Sequence, residues 1–161
     1  MDKPSKLRDT LTKAIPDIAQ NPEKLAIFVV GGRVVHSGTD ALSWEYRYSL
    51  RVLLTAFAGH ADAVMAPLVM WRKTHQPEVF DNPDTREKAI RFEAEFLNSG
   101  AVDLQIDLQL TEAVLSRARP NSPPGALNLI HKEEQPRPLT ILQAERWEVW
   151  LRDEQLARWD Y

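Results

Sequence analysis

The sequence predicts an α+β fold: a largely antiparallel sheet of long amphipathic strands, flanked on one face by two helices. Three observations predict it. The stretch LSWEYRYSLRV, Leu42–Val52, alternates apolar and polar side chains without an error. Ile90–Phe96 and Val102–Thr111 do the same. Two further segments, one beginning near Leu7 and one near Val64, carry apolar residues at helical spacing. Alternation puts one face of a strand in a core and the other in water. The bare apolar face is then covered by the apolar stripes of helices.

Taken in order, Ser5 is positioned to cap a first helix whose stripe is Leu7, Leu11, Ala14, Ile15 and Ile18. Pro16 should kink that helix or end its first part, and Asn21-Pro22 breaks the pattern. LAIFVV, Gly31-Gly32 and RVVHS read as a hairpin with a glycine turn. The error-free strand follows; its eleven residues at ~3.3 Å each span roughly 36 Å. The pattern extends through Leu53, Leu54 and Phe57 to a stop at Gly59.

Ala61–His75 is predicted as the second helix. Asp62 stands at its start and Arg72, Lys73 and His75 at its end, which complements the helix dipole. Val64, Met65, Leu68 and Trp71 form its buried stripe, interrupted by Pro67. After a loop through Pro77 and DNPDTRE, the strands Ile90–Phe96 and Val102–Thr111 are joined as a hairpin by Asn98–Gly100.

Beyond Arg117 the composition changes. RARPNSPPG and EEQPRP hold five of the eleven prolines, which predicts an extended arm over residues 118–144 with an apolar patch at Leu127, Leu129 and Ile130. Three of the five tryptophans fall in residues 145–161. There Trp147, Val149 and Leu151 alternate, and Asp153-Glu154 turns the chain toward Leu156 and Trp159. This predicts an aromatic hairpin, packed on the main domain (residues 1–117) or on a neighbour.

The totals narrow the chemistry. The chain has 161 residues, enough for one ordinary core, and no cysteine, which excludes disulfides, thiol catalysis and thiolate metal sites. Twenty basic residues against 23 acidic ones give a net charge of −3, too balanced for binding driven by phosphate neutralisation. No apolar run reaches membrane-spanning length, and MDKPSKLRDT lacks the apolar centre of a signal peptide. A soluble chain is expected.

Catalytic motifs are missing from the sequence. His36, His60, His75 and His131 show no metal-ligand spacing. Gly31-Gly32 lacks both phosphate-loop patterns, and no nucleophile elbow is present. Asp103 and Asp107 sit four apart on one strand, ~13 Å, too far for either glycosidase geometry. No cofactor is expected.

The polar strand faces are more informative as surfaces. Glu45, Arg47 and Arg51 on one strand and Asp103 and Asp107 on another either pair across neighbouring strands or give register and partner choice between subunits. Trp147, Trp150 and Trp159 pose the same alternative, core closure or docking, since aromatics dominate interface hot spots.

Several blocks in fixed order carry a resemblance: KPSKLRDTLTKAI, NPEKLAIFVVGGRV, LSWEYRYSLRVLLTAFAGHAD, PLVMWRKTHQPEVF, DLQIDLQLTE and RWEVWLRDEQLARWD. Together they cover nearly the whole chain, which resembles the phage tail completion protein R (GpR) family of contractile-tailed temperate phages and their prophages. RARPNSPPGALNLIHKEEQPRP is the stretch where length and composition look free to vary. The resemblance implies a tail-terminator-like subunit with a structural, non-enzymatic role. It would cap the head-proximal end of the tail, end polymerisation of tube or sheath, and prepare the tail for head joining.

The implied partners are copies of itself in a ring, hexameric on the six-fold tail, the tail tube or sheath protein, and head–neck proteins. No membrane and no specific nucleic acid is expected among them. The implied places are the bacterial host cytoplasm during assembly and the head-proximal end of the virion tail. The competing reading is a head–tail connector module that contacts DNA directly.

Overall fold

The computed structural model describes residues 1–134 and 144–160. It is an α+β chain. Helix α1 (Lys3–Ala14) and the short α2 (Pro16–Gln20) lead to β1 (Leu25–His36) and β2 (Trp44–Phe57). Helix α3 (Asp62–His75) and a single turn α4 (Pro83–Arg86) precede β3 (Ile90–Phe96) and the 17-residue β4 (Val102–Ala118). Strand β5 (Leu127–His131) and the pair β6 (Arg146–Leu151) and β7 (Glu154–Asp160) follow.

The main sheet has the order β1-β2-β4-β3, antiparallel throughout. Strand β5 joins β4 on the same side as β3, farther along, where Val114–Ala118 pair with Leu127–His131. The even-numbered residues of β2 and β4 face the helices. Leu50, Val52, Leu54, Leu104, Ile106, Leu108 and Leu110 are all buried there. Leu7, Leu11 and Ala14 of α1 and Val64, Leu68 and Trp71 of α3 meet them in one core. The opposite face of the sheet carries the polar residues.

Several sequence expectations change. Gly31-Gly32 is not a turn: β1 runs straight through it, with a bulge between Val29 and Gly31. A Cβ on Gly32 would lie 2.9 Å from that of Tyr48, so close approach to β2 demands the glycine. The reversal comes at residues 37–43, where Gly38 has φ +74° and His36 Nε2 lies 2.8 Å from the Ala41 carbonyl. Strand β2 therefore begins at Trp44, and Leu42 is exposed in the loop.

Ser5 does not cap α1, which begins at Lys3 with Asp2 as N-cap. Pro16 ends α1 and starts α2, since its fixed φ suits a first helical position. Pro67 stays inside α3, buried in the core, and leaves the Ala63 carbonyl without its helical donor.

Residues 127–131 of the expected arm form β5, while residues 135–143 lie outside the described ones. The C-terminal hairpin is present with its turn at Arg152-Asp153, one residue earlier than expected, because Arg152 takes the positive φ of 54°. Strand β7 packs on α1 and α3, and Ala157 and Trp159 are buried there.

Candidate functional site

Antiparallel register fixes what stands beside what on the polar face. Arg51 of β2 lies between Phe28 of β1 and Asp107 of β4, and Asp107 is opposite Arg91 of β3. The Arg51 guanidinium donates two hydrogen bonds to Asp107, at 2.8 and 2.9 Å. That pairing holds the Asp107 carboxyl below the ordinary aspartate value and raises Arg51. These two residues are thus partners within the chain.

Asp103 is committed differently. Its carboxylate accepts the N–H of Ala56 at 2.7 Å, at the irregularity between Leu54 and Phe57 where Ala56 has a φ of 49°. An alanine in the left-handed region is strained, and this bond steadies it. Arg47 donates to Glu45 two residues away on its own strand and stays 47% exposed. It also stands directly opposite Arg33 of β1, a like-charge neighbour. Glu45, Arg47, Arg51, Asp103 and Asp107 thus share one sheet face. A shallow groove of about 530 Å³ crosses that face between Arg33, Arg47, Ser49, Gln109 and Thr111.

The tryptophans lie elsewhere, on the hairpin that covers α1 and α3. Trp147 and Trp159 stack with ring centroids 6.5 Å apart, and Trp159 is buried. Trp150 is 55% exposed and donates its indole N–H to Glu148 at 3.1 Å. Core closure therefore describes Trp159, and an open aromatic surface describes Trp150.

Two polar groups carry structural weight beyond their sequence reading: Glu112 is not singled out there, and Arg72 is read only as a charge at the end of a helix. Glu112 is buried on the helix side of β4. It accepts the Tyr48 hydroxyl, the Asp2 N–H at 2.6 Å and the Lys3 N–H at 3.4 Å, so a strand carboxylate caps α1. The clue was present: Glu112 continues the parity Leu104, Ile106, Leu108, Leu110, where an apolar residue belongs. Glu112, Asp2 and His131 bring ligand atoms within 4.8 Å of one another, but Glu112 is already engaged by those three donors.

The second group is Arg72, fully buried at the end of α3. Among the described residues the edge of β4 between β3 and β5 has no strand partner, and Arg72 Nη2 donates to the Gln109 carbonyl there. Gln76, bonded to Arg72 at 3.0 Å, accepts the Thr111 N–H at 3.2 Å. Side chains thus close a gap in the sheet edge. Burial pushes Arg72 down to about 10, so it remains charged at neutral pH. Its position, eight residues after Val64 and four after Leu68, was also a readable signal.

Comparison with known proteins places the sequence among its relatives. The sequence matches the family P2 phage tail completion protein R (GpR) over residues 1–136. It is 32% identical over 160 residues to tail completion protein R of Escherichia phage P2, covering 99% of each chain. No solved structure matches it.

Proposed function

The chain belongs to the P2 phage tail completion protein R (GpR) family, and from that premise we propose that it is a structural protein of phage tail completion. In this reading it caps the head-proximal end of the tail, ends polymerisation of tube or sheath, and prepares the tail for head joining. The observation that carries it is the end-to-end likeness to a tail completion protein, 99% of both chains, so the C-terminal hairpin is included. The subunits act as a ring, hexameric on a six-fold tail, in contact with tube or sheath protein and with head–neck proteins. Its places of action are the host cytoplasm during assembly and then the head-proximal end of the tail.

The polar sheet face and the tryptophan hairpin are the surfaces offered to neighbours. Arg47 and Trp150 are the most open of their groups, at 47% and 55% exposure. Arg51, Asp103 and Asp107 position that face through their own internal bonds.

The test is a host producing all tail proteins except this one. Tails of unlimited length would support termination; tails of normal length that fail to take heads would confine the role to joining. Reversing Arg47, the exposed one, to glutamate should abolish capping while the monomer stays folded. A connector that touches DNA would instead show salt-dependent binding of duplex DNA by the purified protein.

A further inference from the structure

Strands β1 and β3 are the two outer strands of the main sheet, and among the described residues neither has a partner on its outer side. Such edges are usually blunted, because an unpaired row of N–H and C=O groups templates another strand. These two are not. On the helix side of the sheet Val34 of β1 is 61% exposed, and Phe92 and Phe96 of β3 are 62% and 85% exposed. On the other side Arg33 faces the like charge of Arg47, and among the described residues neither Arg33 nor Glu93 forms a salt bridge.

We propose that β1 of one copy pairs with β3 of the next, with Arg33 opposite Glu93, so that one antiparallel sheet runs from subunit to subunit. This rests on the ring reading above and names its interface. Direction allows it: all neighbouring strands are antiparallel, so β1 and β3 run in opposite senses, and a rotated copy continues the alternation.

Register then decides. Setting Arg33 against Glu93 places Val34 opposite Phe92 and Gly32 opposite Ala94. The bulge after Val29 brings Val29 opposite Phe96. All of these pairs match in face, apolar on the helix side and charged on the other. A slip of two residues one way sets Arg33 against Arg91. A slip the other way leaves Phe92 against His36, and a slip of one residue puts every side chain on the wrong face. A different edge of the same chain is used on each side of the contact. The interface is therefore heterologous and closes as a ring or continues as a filament.

The chain has no cysteine, so a Val34→Cys, Phe92→Cys double variant reports on this contact alone. Directly opposed residues of an antiparallel pair have Cα atoms roughly 4.5–5.5 Å apart, within disulfide reach. After oxidation with diamide, purified oligomers or isolated tails should give a ladder of linked multimers on non-reducing gels. Each single variant should give none, and Val34→Cys with Ala94→Cys far less. Arg33→Glu and Glu93→Arg should each weaken assembly roughly tenfold, and the two together should restore it. All five substituted positions are exposed, and circular dichroism of the monomers verifies folding.

Multimers seen by light scattering or on tails without a ladder would overturn this interface and leave the ring standing. No multimer in either setting would overturn both.

Discussion

The hydroxyl of Tyr48 donates to Glu112, and the same carboxylate receives the backbone N–H of Asp2 at 2.6 Å. Burial first, and the bond to Glu112 second, hold the phenol protonated far above ordinary tyrosine, so it remains a donor at any working pH. Tyr48→Phe should cost about 1–3 kcal/mol, because Glu112 stays buried with one donor fewer. Glu112→Leu should cost more, since the phenol and two N–H groups lose their acceptor. The double variant should cost less than the sum, as urea unfolding of all three will show.

Arg72 joins the end of α3 to the open edge of β4. Arg72→Ala should destabilise by at least about 2 kcal/mol, leaving the Gln109 carbonyl unpaired and a void among apolar neighbours. Arg72→Lys should recover only part, because an ammonium cannot reproduce the guanidinium fork that meets both Gln109 and Gln76. Thermal melting of the two variants provides the comparison.

The two tryptophans at the hairpin should separate cleanly. Trp159→Ala removes a buried ring and should cost about 3–5 kcal/mol. Trp150→Ser, at a mostly exposed position, should change stability by less than about 0.5 kcal/mol. If Trp150 serves docking, the same variant should fail in tail completion while melting normally.

Acid should weaken the fold in two stages. Burial lowers His75 below ordinary histidine, against the bond to the Trp71 carbonyl, so the unfolded chain binds that proton more readily. Its contribution is present above about pH 6.5 and lost as pH falls below that value. The Arg51 hydrogen bond lowers Asp107, whose contribution is present above about pH 3.9 and lost as pH falls through its lower folded value. Chemical unfolding across pH should show the upper stage vanish in His75→Gln and the lower stage shrink in Arg51→Met.

The strands of this fold were legible wherever burial is one-sided, because alternation records it residue by residue. Leu104 to Leu110 is the plainest instance. Gly31-Gly32 misled because glycine serves a tight turn and a close strand approach equally, and only the position of Tyr48 tells them apart. Strand β5 was hidden in a proline-rich stretch, since its place depends on β4 running to Ala118. Arg51 and Asp107 could be named as charged strand residues but not joined, because their contact depends on a register between segments 56 residues apart. The polar face was readable from the sequence; its internal bonds were not.

Strand β4 also gives the subunit a mechanical direction. Over its 17 residues it is hydrogen-bonded to β2 along most of one side and to β3 and β5 on the other. Those bonds lie across the strand axis, so tension drawn along β4 is shared by the whole ladder at once. Tension that pulls the two ends of the β6–β7 hairpin apart meets one pair at a time, beginning at Arg146 and Asp160. The chain is stiff along its long strand and yields at its tail.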